Sequence, residues 1–437
     1  MKKQLFIIVT FITVFIFSCK SDNQNSRPNI ILIMADDMGY ECLSANGSTS
    51  YKTPNIDRLA SNGIRFSKCI SQPLCTPSRV KIMTGLHNYR NYDYFGHLNT
   101  QQYTFGNLMQ EAGYATCIAG KWQLNGRAFK ESIPDWNDDT RPYKFGFDEY
   151  CLWQLTGLGG RYVGPLIEQN GEFLKRNVDE YGPDIFANYI MDFIERKKDA
   201  PFFIYYPMVL VHDPFVPTPN SEEWINPELR NRKDTTHFKD MVAYTDKIVG
   251  KINTKLKQLK INKNTIIIFT GDNGTHSSVF SSTNEGIIQG GKGNTIDAGT
   301  HVPLVISWPD KIKNGSVYDG LIEFSDFFTT FADIVGKEVA SDGQSFYPLM
   351  KGKKHHPRKT AFVHYDPKWS ENVDKYRNQF IRTLDYKLYQ DGDFFNLAND
   401  NLEKIPMRSD SLNENELTIK SSLENEFKKH PDWNNKQ

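Results

Sequence analysis

The stretch PNIILIMADDMG, residues 28–39, constrains the fold more than any other part of the chain. Its apolar run is unbroken by polar residues and then stops at two aspartates. A strand with one wet face would alternate. A continuous run points to a strand buried on both faces, the kind found in parallel sheets covered by helices. Four more runs share this character: ATCIAGKW from 115, PFFIYYPMVLVHDP from 201, TIIIFTGDNG from 265 and VPLVISWP from 302. Helical patterns lie between them. TPNIDRLASNG offers Thr53 as a cap, Pro54 at the first helical position and Asn62-Gly63 as a stop. GPDIFANYIMDFIERKK and HFKDMVAYTDKIVGKINTKLKQLK carry apolar residues at three- and four-residue spacing. Strands alternating with helices predict an α/β protein, with a mostly parallel sheet covered by helices on both faces.

Ligands of such sheets gather at the carboxyl ends of the strands. Here those ends read Asp36-Asp37, Gly120-Lys121, His212-Asp213 and Asp272-Asn273, a polar convergence that packing alone does not explain. The texture changes after about residue 335. KGKKHHPRK is a charged connector, and FVHYD, QFIRTLDYKLYQDG and DFFNL read as short strands with turns. A main domain over 27–350 and a smaller α+β subdomain over 351–437, built on an antiparallel sheet, follow.

With 52 basic and 52 acidic residues the net charge is zero, and no long basic run is present. That excludes nucleic-acid binding through a broad electrostatic footprint. Aromatics, 13% of the chain, are accounted for by a dense core before any sugar-stacking surface is needed. Lys2 and Lys3 precede an apolar run, Leu5 to Phe17, too short to span a bilayer comfortably. A basic start and a short apolar stretch predict a signal peptide over 1–18, hence export to the cell envelope. Ser18-Cys19 resembles a bacterial lipoprotein processing site, loosely because Phe17 is bulky; a lipid on Cys19 would be the only tie to a membrane. The remaining cysteines, Cys42, Cys69, Cys75, Cys117 and Cys151, show no disulfide framework and no CxxC pair. Four read as buried or loosely paired. Cys75 stands apart because of its neighbours.

Asp36, Asp37, Asp272 and Asn273 offer only oxygen, which suits calcium or magnesium over zinc or copper. Each pair alone also reads as a turn. Together, at the ends of buried strands, they favour a metal site. In PLCTPSRVKIMTG, residues 73–85, Thr76 can cap a helix whose first residue is Pro77 and which Gly85 ends. Cys75 then lies at a helix N-terminus, where negative charge is favoured. Local physics leaves two readings open, an activated thiol and a small buried hydrophobe.

A family resemblance chooses between them. CTPSR matches the CxPSR element of the type I sulfatases of the alkaline-phosphatase-like superfamily. The other elements follow in that family's order: NIILIMADDMGY, TPNIDRLASNGIRF, GKW at 120–122, VHDPFVP, GDNG, GGKGNTIDAGTHVPL and DGQSFYPLM. The match runs from about residue 28 to 350. It implies that Cys75 is oxidised to formylglycine by a formylglycine-generating or equivalent maturation enzyme. It also implies a calcium ion, ahead of magnesium, held by Asp36, Asp37, Asp272 and Asn273 together with residue 75. In the implied mechanism a hydroxyl of the hydrated aldehyde attacks sulfur and expels the alcohol. The second hydroxyl then loses its proton and expels sulfate. Arg79, one helical turn on, would hold the diol oxygen or the aspartates. Lys121 and Lys292 would bind sulfate, and Lys292 or His212 would protonate the leaving oxygen.

Two residues depart from the family pattern. Gln123 stands where a histidine is usual two residues after the lysine; it can hydrogen-bond substrate but carries no proton. His301 replaces a common arginine, with no role carried over. In HNYRNYDYFGH, residues 87–97, the aromatics with His87 and His97 are either a sugar-stacking wall or a packed loop. The expected activity is hydrolysis of sulfate esters on a sulfated carbohydrate, as in glycan degradation. Two alternatives remain at this point: a phosphate ester or phosphonate hydrolase of the same superfamily, and a degenerate surface glycan-binding protein.

Overall fold

A computed structural model describes residues 27–369 and 377–431. The expected signal peptide and Cys19 lie outside the described residues. Ten strands form one sheet: β1 (Asn29–Ala35), β2 (Gly63–Ile70), β3 (Ala115–Lys121), β4 (Glu149–Trp153), β5 (Ile167–Gln169), β6 (Glu172–Phe173), β7 (Phe202–Pro207), β8 (Thr265–Gly271), β11 (His301–Ser307) and β12 (Ser316–Glu323). Their order is β12-β2-β11-β8-β1-β7-β3-β4-β5-β6. A hairpin of β9 (Phe280–Thr283) and β10 (Gly286–Gln289) stands apart from it.

Double burial explains the unbroken apolar runs. Along β1, Ile31, Ile33 and Ala35 enter the core on one face, while Ile30, Leu32 and Met34 enter the core on the other. The central block β8-β1-β7-β3-β4 is parallel throughout. The run VPLVISWP forms a strand as expected, but β11 runs antiparallel to both β8 and β2. Every residue of β11 is buried, as in β8, so its composition is that of a parallel strand and does not encode its direction. The reversal matters for function: the start of β11 lies at the same end of the sheet as the finish of β1, β3, β7 and β8.

Two helix starts differ from expectation. α1 (Pro54–Ser61) has Thr53 at its N-cap, yet the Thr53 hydroxyl donates to Asp57 Oδ1 at 3.0 Å. The first-turn N–H groups of Asn55 and Ile56 are met instead by the buried carboxylate of Asp246, each at 2.9 Å from Oδ1. α2 (Cys75–Thr84) begins at Cys75 with Leu74 as N-cap. Thr76 lies inside the helix, and its hydroxyl accepts from the Gly96 N–H at 3.1 Å. Gly85 closes α2 at φ +69°, a left-handed conformation that suits glycine.

The smaller antiparallel sheet is present as β13 (Ala361–Tyr365), β14 (Asn378–Arg382), β15 (Tyr386–Tyr389) and β16 (Phe394–Asn396), in that order. Lys81 on α2 ties it to the large sheet. Its Nζ donates to Glu323 Oε2 and to the Phe362 carbonyl, both at 3.0 Å, with both charged side chains fully buried. No helix among the described residues is long and apolar enough to cross a membrane.

Candidate active site

β1, β3, β7 and β8 all finish at the same end of the sheet, and the chain turns there into polar residues. Asp36 and Asp37 follow β1, with Asp37 at φ +60°. Its N–H donates to Asp272 Oδ1 at 2.9 Å, and its own Oδ1 accepts from Asn273 Nδ2 at 2.9 Å, so the turns after β1 and β8 interlock. Lys121 is the last residue of β3. Gly120 before it has φ +123°, and a Cβ there would lie 2.0 Å from the Pro207 carbonyl. Only glycine lets β3 pass β7 so closely.

Lys121 Nζ donates to both oxygens of Asp36 at 2.9 Å, and Lys292 Nζ reaches Asp37 Oδ2 at 2.5 Å. His212, after β7, faces Lys292 with Nε2 at 3.1 Å from Nζ, while its Nδ1 lies 2.6 Å from the Asp213 carbonyl. One ligand atom from each of Asp36, Cys75 and Asp272 falls within 4.8 Å of the others. The residues expected at the site from six separate segments therefore meet in one buried cluster.

Charge in this cluster is unevenly matched. Burial works against the charge on Asp36, yet Lys121, His212, Arg161 and Lys292 outweigh it and hold the carboxyl well below the usual range. Asp272 goes the other way: burial and then the neighbouring Asp36 carboxylate push it well above. Asn273 Oδ1 is buried with no hydrogen-bond partner. Crowded carboxylates and an orphaned amide oxygen fit a hard divalent cation, with Asp36, Asp37, Asp272 and Asn273 as its oxygen donors.

Cys75 is 3% exposed. Burial, with Asp36 and Asp272, raises its thiol above the ordinary value of 9.0 against the pull of Lys121 and Lys292. Burial and the nearby carboxylates thus work against a thiolate here, whatever the helix N-terminus contributes. Burial also lowers His212, against the opposing pull of Asp37. Lys292 is raised: Asp37, Cys75 and Asp36 overcome its burial.

Of the two partners expected for Arg79, the diol oxygen and the aspartates, the aspartates do not take its hydrogen bonds. Its Nη2 donates to the Lys121 carbonyl at 2.6 Å and its Nη1 to the Trp122 carbonyl. It therefore braces the segment that presents Lys121, and touches neither aspartate. His97 pairs with Asp93 at 2.8 Å, and His87 packs among Tyr89, Phe362 and His430. Most of the 87–97 stretch is thus packed loop, although Phe95 and Gly96 line a pocket beside Gln123. His301 is buried between Asp297 Oδ2, at 3.1 Å, and the Ser67 carbonyl, at 2.9 Å. The five cysteines at 42, 69, 75, 117 and 151 are all free and buried.

Sequence reasoning missed Arg161. Its Nη1 lies 3.2 Å from Asp36 Oδ2, and its guanidinium covers the Trp153 ring at 4.2 Å. It comes from the glycine-rich loop GLGGRYVG, where the only available signal was a cation between glycines at the end of a strand.

The family model described as Sulfatase matches residues 28–337, and one described as N-sulphoglucosamine sulphohydrolase, C-terminal, matches 292–431. N-acetylgalactosamine-6-sulfatase of Canis lupus familiaris is 30% identical over 398 residues, 81% of this chain and 72% of the dog protein. The mouse enzyme of the same name is 32% identical over 72% of this chain, and there the chain spans 64% of the relative's length. N-acetylgalactosamine-6-O-sulfatase of Bacteroides thetaiotaomicron is 29% identical, covering 78% of this chain and 80% of that protein. Among solved structures, Ps i-CgsB superposes with a TM-score of 0.75 at 26% identity over 92% of each chain. A structure in complex with D-glucosamine-2-N,6-O-disulfate has a TM-score of 0.75 at 24% identity, over 94% of this chain and all of that one, and shows the shared fold. The aspartate-lysine cluster at the strand ends thus has a family to go with it: the chain belongs to the sulfatases, which are sulfuric ester hydrolases.

Proposed function

We propose that the chain hydrolyses a sulfate ester on a carbohydrate, with Cys75 converted to formylglycine and a calcium ion held by Asp36, Asp37, Asp272 and Asn273. The observation that carries this reading is the meeting of Asp36, Asp272 and Cys75 within 4.8 Å, flanked by Lys121 and Lys292. Burial, with Asp36 and Asp272, disfavours a thiolate at position 75, which favours a modified residue there. When present, the hydrated aldehyde and the ion supply an attacking hydroxyl and the polarisation of a sulfate oxygen.

The chain's own groups do the rest. Lys121 and Lys292 hold fixed positive charge where negative charge grows on the sulfuryl oxygens. Lys292 Nζ and His212 Nε2, 3.1 Å apart, hold the proton that the leaving oxygen takes. Gln123 offers the leaving sugar a hydrogen bond and no proton. Arg79 keeps Lys121 in place through two backbone carbonyls. Because Cys75 is buried, a maturation enzyme must reach it before the fold closes. The names of the relatives favour a 6-O-sulfated hexosamine as substrate. Export to the envelope, with a lipid anchor at Cys19, remains part of the proposal and rests on the first nineteen residues alone.

Parallel turnover assays on an aryl sulfate, an aryl phosphate and hexosamine 6- and 4-sulfates test this reading. The sulfates should turn over, the 6-sulfate ahead of the 4-sulfate, and Cys75→Ala should fold without turnover. Faster hydrolysis of the phosphate, or full activity in Cys75→Ala, would contradict it.

A further inference from the structure

A pocket of about 460 Å³ opens beside the cluster, lined in part by Phe95, Gln123, Arg127, Lys130, Trp136 and Gln154. Two segments build it. Leu98 N donates to the Leu124 carbonyl at 3.0 Å and Gly126 N to the Gly96 carbonyl at 2.6 Å, so the loop after α2 runs alongside the chain leaving β3. Both segments start at the site: Gly96 N is bonded to the hydroxyl of Thr76, next to Cys75, and Gln123 follows Lys121 by two residues. The size is within the range of pockets that enclose small organic ligands, and exceeds what one sulfate group needs.

The lining has a definite chemistry. Aromatic faces come from Trp136 and from Phe95, which is stacked on Trp369 at 4.3 Å between ring centres. Arg127 holds its guanidinium 5.0 Å from the centre of the Trp136 ring, and one arm donates to the Thr156 carbonyl. Lys130 also lines the pocket and is exposed. The described lining holds these two cations and no carboxylate. Gln123 and Gln154 sit back to back at φ +47° and +57°, joined by the Gln123 N–H to the Gln154 carbonyl at 3.1 Å. Gln154 Oε1 is buried and accepts nothing. Aromatic faces with amide groups suit a sugar ring and its hydroxyls. Two cations in a lining that holds no carboxylate suit a negative charge other than the sulfate held at Cys75.

We propose that this pocket is a subsite for a second anionic substituent, making the substrate a carbohydrate with at least two negative groups: the one cleaved, and one read by Arg127 and Lys130. This rests on the sulfatase reading of the neighbouring site and adds the substrate class. The shared chemistry is a sulfate or carboxylate on the same ring or on the next one.

The test compares kcat/KM on a hexosamine 6-sulfate with three probes: the same sugar carrying a second sulfate, a disaccharide with a sulfated neighbour, and a disaccharide with a uronate neighbour. The wild type should prefer at least one dianionic probe by about fivefold, the scale of one partly exposed charge pair. Arg127→Gln and Lys130→Gln should bring that ratio toward one, and the probe whose ratio falls identifies the source of the anion. Lys130 is exposed, so its variant reads the subsite without endangering the fold. No preference in the wild type, or variants that leave the ratio unchanged, would overturn the proposal. If no sulfate ester turns over, the sulfatase reading has failed by itself; calorimetry of the same probes on Cys75→Ala then decides the subsite. Tighter binding of a dianionic probe, lost in Lys130→Gln, supports it, and equal binding of all probes refutes it.

Discussion

Calcium held by the carboxylate cluster should stabilise the folded chain. Asp36 and Asp272 are buried side by side, and Asp272 is held well above the usual carboxylate range by burial and by Asp36. A cation that binds only the folded chain stabilises it by about 2.7 kcal/mol at a hundred times its Kd. Unfolding entropy near 60 °C is about 2.1 cal/mol/K per residue, so a chain of 437 residues gains roughly 0.9 kcal/mol/K and the midpoint rises by about 3 °C. The assay is differential scanning calorimetry of chelator-treated protein, with calcium and with magnesium at matched concentrations. Calcium should give the larger rise. Asp272→Asn should raise the metal-free midpoint, since a raised carboxylate costs stability at pH 7 and the amide removes that cost. It should also abolish most of the calcium response. A wild-type midpoint indifferent to calcium, or an equal response in Asp272→Asn, would refute the metal assignment.

Two further predictions concern the tie between the sheets. Lys81→Met should lower stability by about 3 kcal/mol in denaturant titrations, because it strips a buried partner from Glu323 and a donor from the Phe362 carbonyl. Burial raises Glu323, but Lys81 and Arg358 outweigh it and leave its folded value far below the ordinary 4.5. Its contribution is therefore complete above about pH 4.5 and lost as pH falls below it. Glu323→Gln should be less stable at neutral pH and show a flatter loss of stability below pH 4.5 than the wild type.

The four parallel strands that carry the site were legible because burial on both faces leaves a run such as Ile30–Ala35 with no polar break. β2 and β12 were not singled out: Arg65, Ser67 and Lys68 are only half buried, and Ser316–Gly320 mixes exposed and half-buried residues. The direction of β11 was not legible either, since a strand covered on both faces has the same composition whichever way it runs. Asp36, Asp37, Asp272 and Asn273 stood out because acids and amides at the ends of apolar strands have no packing reason to be there. Arg161 did not, because a loop residue carries no periodicity and its partner is 125 positions away. The role first given to Arg79 followed from helical spacing, which puts residues 75 and 79 on one face. Spacing says nothing of where a long side chain ends, and its fork reaches the carbonyls after β3.

The measurement that bears most directly on the central claim is mass spectrometry of the tryptic peptide CISQPLCTPSR, residues 69–79, from protein made in its native host. An aldehyde at the second cysteine, with the first left as a thiol, is the predicted result. A peptide in which Cys75 is quantitatively an unmodified thiol, from protein that still cleaves sulfate esters, would contradict the account.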